Sequence, residues 1–280
     1  MLGAVKRWLG GGADACAGCD PAILEQCSAA EPGSVTPHNA HVFLKLAAPP
    51  GSDTTATDEA WWPESVDKEP AIEAVNAAIK AAGERISGKV KVTAFDSLTP
   101  TQVGPGTADA VIFPAAIRLT GLPLDQLPAA VVAALAGEAV PQGEQVDGLT
   151  LFVCCHAKRD ERCGHVGPAL AEKLAELAAG RQAPGGGAIR VLKTSHVGGH
   201  KYAGNVLVYS GGQSTDGDWF GGLNAQNAEA FMQSLLTAKA PSGAAGEAAL
   251  RPWWRGRVGL SKPEQLQHFE AALRDIEDLR

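Results

Sequence analysis

The pattern that most constrains this chain is a repeated rhythm of short apolar runs and helical stripes. Residues 41–46 (HVFLKL) read as a strand, and Ile72, Val75, Ile79 and Ile86 recur at helical spacing. Residues 89–95 (KVKVTAF) alternate like a half-buried strand, a further strand runs through 110–113, and a helix spans about 127–136. The second half repeats the order. Strand 149–154 (LTLFVC) precedes a polar loop and a helix over 166–179, with Leu170, Leu174 and Leu177 on one stripe. Strands follow at 189–192, 205–209 and 218–220, and a helix at 225–238 closes the unit. The order in each half is strand, helix, strand, strand, one more strand, helix. That predicts an α/β chain of two thioredoxin-like α/β units in tandem, plus a C-terminal tail helix.

The expected boundaries are a flexible N-terminal segment over 1–36, a first unit over 37–140, a second over 147–240, and a tail over 241–280. The tail holds the segment PWWRGRVGLSK and an amphipathic helix from about Pro263. No stretch approaches the roughly 18 consecutive apolar residues of a membrane span. The first residues lack a secretory apolar core and the Arg- and Ser-rich character of a transit peptide. A net charge of −7 disfavours nucleic acid and anionic membranes as partners, since both call for a basic face.

The six cysteines are too few for a disulfide scaffold and fall in two groups, with histidines close by. That clustering predicts metal chemistry in a reducing compartment, cytoplasmic or organellar. The informative group lies in VCCHAKRDERCG, after strand 149–154, and in SHVGGHKYAGN, between two later strands. Eight residues separate Cys154 from Cys163, and three separate His196 from His200. Thiolate and imidazole are the side chains that bind iron and zinc best. Four of them on loops at one sheet edge could form a complete coordination set. Cys155 offers a second register one residue away.

Several other readings compete. A helical zinc-protease pair needs Glu after the first His, but Val197 stands there, and Gly198 and Gly199 oppose a helix by about 1 kcal/mol each. In the loop, those glycines would let the backbone approach a bulky inorganic core. A zinc finger is excluded by the long gap between the cysteines and by the 32 residues from Cys163 to His196. Another structural zinc site, or a metal-free redox dithiol of Cys154 and Cys163, stays open.

The stretches FVCCHAKRDERCG, SHVGGHKYAGNVLVY, GDWFGG and WWRGRVGLS, with VTPHNAHVFL near the start, resemble the sucrase/ferredoxin-like family. The resemblance covers about residues 35–260. It implies a C-terminal unit that is a thioredoxin-like ferredoxin and a ligand pattern C-x8-C then H-x3-H. That pattern falls on Cys154, Cys163, His196 and His200, selects Cys154 over Cys155, and implies a [2Fe-2S] cluster. The expected function is electron transfer or redox sensing with proton-coupled reduction. The expected partner is a redox protein, with a flavin-dependent reductase as donor. The alternative is a zinc-stabilised or thiol-based adaptor. The "sucrase" of the family name finds no paired-carboxylate motif here.

Around the four residues, His156 and His165 are candidate supporting donors, with ordinary surface histidines an equal alternative. Arg159 and Asp160 are an expected ion pair, and Arg162 or Lys201 would offset charge on a reduced centre. Trp253 and Trp254 are expected to pack on the body, beside the site. Cys16, Cys19 and Cys27 could belong to a second metal site with His38 or His41, but a flexible exposed segment is the better reading. The first unit, lacking both loops, reads as a scaffold or docking surface.

Overall fold

In a computed structural model of the protein, residues 21–49, 61–98, 103–211, 217–238 and 248–277 are described. Among them lies a ten-stranded sheet, formed by two units of the same topology. The first unit runs β1 (Ala40–Leu46), α2 (Pro70–Ala82), β2 (Val90–Ser97), β3 (Thr107–Phe113), β4 (Ile117–Pro123) and α3 (Leu127–Leu135), after a one-turn α1 at Pro21–Leu24. The second runs β6 (Leu149–Cys154), α4 (Glu161–Ala178), β7 (Ile189–Thr194), β8 (Val206–Ser210), β9 (Asp218–Phe220) and α5 (Ala228–Ala238). In both, the first two strands are parallel neighbours, the third pairs antiparallel with the first, and the fourth with the third. The order second-first-third-fourth is that of a thioredoxin-like unit, so both halves have the expected fold.

Each unit gains an edge strand from the chain that follows it. β5 (Glu144–Gln145) pairs with β4, and β10 (Trp254–Arg257) pairs with β9. The tail is therefore part of the second sheet, and its helix α6 (Lys262–Glu277) buries Gln265 against the backbone of Val35 and Leu260. β4 was not legible as a strand in the sequence. It is a solvated strand with a register shift, and Gly121 and Pro123 interrupt its alternation. Residues 21–36, read as part of a flexible segment, instead lie against the second unit. Val35 is buried, and Ser28, Glu31 and Ser34 bond to Lys201, Tyr202 and Arg255. The rest of that segment falls outside the described residues.

Period-two alternation divides each sheet into two faces. Val42, Leu44, Ala110 and Ile112 face α2 and α3, while Leu151, Val153, Val206 and Val208 face α4 and α5. Phe43, Phe95, Phe113, Phe152, Tyr209 and Trp219 occupy the opposite faces and share one core. The ring of Phe43 on β1 stacks on that of Phe152 on β6 at 3.7 Å, and Phe113 on β3 stacks on Tyr209 on β8 at 4.3 Å. In a flat sheet, β1 and β6, three places apart, would lie about 14 Å from each other. The sheet must therefore fold over, with the helices outside and the two helix-free faces in contact. The hinge is the β2–β7 pairing, only Phe95↔Thr194 to Ser97↔Leu192.

Because both units contribute to this aromatic core, they should unfold together. Phe152→Ala should lower stability by about 3–5 kcal/mol, with near- and far-ultraviolet circular dichroism following one urea transition. Two separate transitions in the wild type would contradict a shared core.

Candidate metal centre

The site forms at the carboxyl ends of the parallel strands β6 and β7, where open α/β sheets commonly place ligands. Cys154 ends β6 on the face turned toward the first unit, two positions after Phe152. Cys155 points the opposite way, into the core beneath α4 and α5 with Leu170 and Leu174. Alternation along the strand thus separates the two adjacent thiols.

Cys163 is not in the loop where the sequence placed it. It lies in the first turn of α4, which begins at Glu161, five residues earlier than the apolar stripe suggested. The reason is the cap at Asp160, whose carboxylate accepts the Arg162 N–H at 3.1 Å. Helix α4 comes very close to the end of β6. A Cβ on Gly167 would stand 2.2 Å from the Cys154 carbonyl oxygen, and one on Gly164 2.2 Å from the Ala157 side chain. Those two glycines permit the approach that sets Cys163 beside Cys154.

His196 follows β7 after a clamp from the first unit. Ser195 N–H donates to the Ala94 carbonyl at 2.8 Å, and Ala94 N–H donates to the Ser195 hydroxyl at 3.0 Å. The His196 N–H donates to Nδ1 of His156, whose Nε2 lies 2.9 Å from the Pro63 carbonyl. His156, almost fully buried, is therefore a brace between the units, not a surface histidine. His200 sits in a 3-10 turn, His200–Tyr202, with its ring 5.5 Å from that of His196 and its side chain 48% exposed.

Cys154, Cys163 and His196 form one group, each with a ligand atom within 4.8 Å of the others. His200 stands next to this group, with Nδ1 3.7 Å from an Asp160 carboxylate oxygen. Hydrogen bonding from Cys163, helped by His196, holds the Cys154 thiol well below its ordinary range against the opposing effect of burial. The same contact with Cys154, reinforced by burial, pushes Cys163 up. Burial pushes Cys155 up as well, leaving it a neutral core thiol. Nδ1 of His196 is buried without a hydrogen-bond partner. A buried orphan nitrogen beside two cysteine sulfurs is a donor set suited to a soft or borderline metal.

Several surroundings differ from expectation. Asp160 pairs with Arg162 at 2.9 Å instead of Arg159, which lies 3.9 Å from Glu64. Lys201 reaches Glu31 at the surface. From the tail it is Arg255, not the tryptophans, that reaches the site. Trp253 packs on Phe231, and Trp254 lies against His268 and Phe269 and donates to Asp218. The Arg255 guanidinium donates to Asn205 Oδ1, Ser34 Oγ and the Ser34 and Gly198 carbonyls, and covers the Tyr202 ring at 4.6 Å. Gly198 and Gly199 have positive φ, and a Cβ on Gly199 would meet that guanidinium at 2.2 Å. The glycines therefore admit an arginine as well as a left-handed turn. Asn205 completes the link: its amide donates to Gly199 and its carbonyl accepts the Cys154 N–H. In the sequence Arg255 and Asn205 stand out only as members of the stretches WWRGRVGLS and SHVGGHKYAGNVLVY; their roles at the site depend on partners distant along the chain.

Cys16 and Cys19 fall outside the described residues. Cys27 is half-buried and packs against the core that holds Cys154 and Cys163. His38 and His41 are buried in the first unit, where His41 bonds Tyr209 and Thr93, so they do not join Cys27.

Asp160→Ala should cost about 0.5–2 kcal/mol through loss of the cap. It should also loosen the turn carrying Cys163. Metal-free protein should show a lower thermal midpoint and faster alkylation of Cys163, followed by peptide mapping. Unchanged Cys163 reactivity would remove Asp160 from the site's architecture.

A family model for sucrase/ferredoxin-like proteins matches residues 32–256. Among curated proteins, altered inheritance of mitochondria protein 32 of Candida glabrata is 37% identical over 91 residues, 30% of this chain and 28% of that protein. Its namesake in Debaryomyces hansenii is 35% identical over 71 residues, 25% and 24% of the two chains. Actin patches distal protein 1 of Saccharomyces cerevisiae is 31% identical over 101 residues, 33% and 31%. The chain thus spans under a third of the length of these relatives. No solved structure matches it. With the match running from the segment that touches the site through both units to the tail strand, the chain belongs to the sucrase/ferredoxin-like family.

Proposed function

We propose that Cys154, Cys163, His196 and His200 hold a [2Fe-2S] cluster, and that the protein is an electron carrier or redox sensor whose reduction is coupled to proton uptake. The observation that carries this reading is the convergence of two buried thiols and one imidazole within 4.8 Å, with a second imidazole alongside. Family membership supports it. Bound there, the cluster would supply one-electron storage at a site whose +2 oxidised core is neutralised by two thiolates, a balance that favours a raised potential.

The protein's own residues have separate tasks. Cys154, its thiol held well below the ordinary range, and Cys163 form the buried pair. His156 and Ser195 hold the backbone at His196. His200, open to solvent and close to Asp160, is the imidazole best placed to take up a proton when negative charge builds beside it. A redox partner protein, with a flavin-dependent reductase as donor, fits this role. The setting is a reducing compartment, cytoplasmic or organellar, since Cys27, Cys154, Cys155 and Cys163 are free thiols. The name of the protein 32 relatives refers to mitochondria, which agrees with an organellar site. Among the described residues no helix is long and apolar enough to cross a membrane.

Protein purified without oxygen should be red-brown, with two iron and two sulfide per chain. Cys154→Ser and Cys163→Ser should lose the colour, and Cys155→Ser should keep it. Colourless protein holding one zinc, even after reconstitution with iron and sulfide, would favour the zinc-stabilised adaptor instead.

Voltammetry tests the histidines. The wild-type potential should fall as pH rises between the oxidised and reduced histidine pKa values, by about 59 mV per unit for one proton per electron. Replacing His196 and His200 together by Cys should lower the potential and remove most of that slope. A flat wild-type profile from about pH 5 to 10 would remove proton coupling.

A further inference from the structure

A charge buried in a protein interior is ordinarily paired with an opposite charge, because taking it out of water is costly. Around the candidate centre that rule holds for Arg162 with Asp160, and further off for Lys45 with Asp96 and Arg257 with Asp218. Two cations break it. Arg255 is 2% exposed, and its hydrogen bonds go to neutral acceptors: a hydroxyl, two carbonyls and an amide oxygen. Lys91 on β2 is partly buried between the two sheets, with Nζ 6.0 Å from the Trp219 ring centroid. Among the described residues neither has a carboxylate in salt-bridge contact.

Both cations border the Cys/His group. Lys91 lines a cleft of about 180 Å³ between the units, shared with Thr93, His156, Ser195 and His196. Arg255 lies under the His196–His200 loop, held to Gly198 and Asn205. Glu64 and Asp67 also line the cleft, but both are exposed, so water and salt screen them. Burial lowers the proton affinity of both cations, Arg255 to about 10.

We infer that Lys91 and Arg255 are the fixed counter-charges of the centre, tuning residues that favour its electron-loaded state, with Lys91 supplied by the unit that holds no ligand. This rests on the proposed cluster. One electron arrives from a one-electron donor, an electrode in the test, and the centre gains one negative charge. No bond forms or breaks, and both cations keep their protons. The added charge meets two cations in a medium that screens weakly, so their removal should disfavour reduction.

Lys91 gives the cleaner test, since Arg255 also braces the histidine loop. In reconstituted full-length protein, Lys91→Met should lower the reduced-to-oxidised ratio at fixed potential about tenfold, a drop of about 59 mV in midpoint for one electron. Lys91→Arg should restore the wild-type midpoint, which a purely packing role would not require. Lys80→Met, on the exposed face of α2, should leave it unchanged. A Lys91→Met protein with wild-type absorption and an unshifted midpoint would overturn the inference while leaving the cluster in place. Loss of folding in both Lys91→Met and Lys91→Gln would make Lys91 a structural residue and overturn it as well. If the wild type takes up no iron and sulfide, the cluster reading fails first, and the inference falls with it.

Discussion

The contact on which the rest of the molecule depends is the stacking of Phe43 on Phe152 across the two helix-free faces. Strand alternation turns that contact into a constraint on the site. If Phe152 faces the first unit, then Cys154, two residues on, must face it too, and Cys155 must turn away. The site therefore opens at the end of an interface between units instead of at the rim of one. A unit without a single candidate ligand still shapes the centre. It clamps Ser195 through Ala94 and anchors His156 through Pro63.

Duplication of the fold explains how this is possible. Both units leave one sheet face free of helices, and a lone sheet with an uncovered aromatic face would expose a large apolar patch. Pairing the two free faces solves that problem for both at once. The β2–β7 hinge is short because its strands part as the sheet turns the corner. The parting leaves a cleft, and the cleft is where Lys91 and His196 meet.

Much of the fold was legible in the residues because it is local. Short apolar runs marked β1, β6 and β7, alternation marked β2, and helical stripes marked α2 and most of α4. What escaped notice depends on distant partners. β4, flanked by the two-residue edge strand β5, and β10, at the other edge, alternate poorly, so tertiary pairing made them strands. The start of α4 was hidden because its first turn is polar and ends in glycine, and only the Asp160 cap reveals it. The grouping of Cys154 with Cys163 and His196 followed from two loops after parallel strands. The roles of Arg255 and Asn205 did not, since an arginine in a tail segment shows no sign of its burial until β10 joins β9. The choice between Cys154 and Cys155 came from resemblance alone, although knowing which face of β6 carries the helices would have decided it.

The donor group is asymmetric, and the asymmetry has a physical origin. Its cysteine side is closed by α4, because Gly164 and Gly167 bring the helix onto the strand end. Its histidine side rests on a loop held from beneath by Arg255, which leaves the upper ring, His200, in water. Charge on the dry side is confined, since neither thiol can reach solvent to exchange a proton freely. In the proposed role, that division lets the thiolates anchor the centre while the outer imidazole follows its electron count. In the inferred role of Lys91 and Arg255, the two cations add a constant favourable field that salt would screen only weakly.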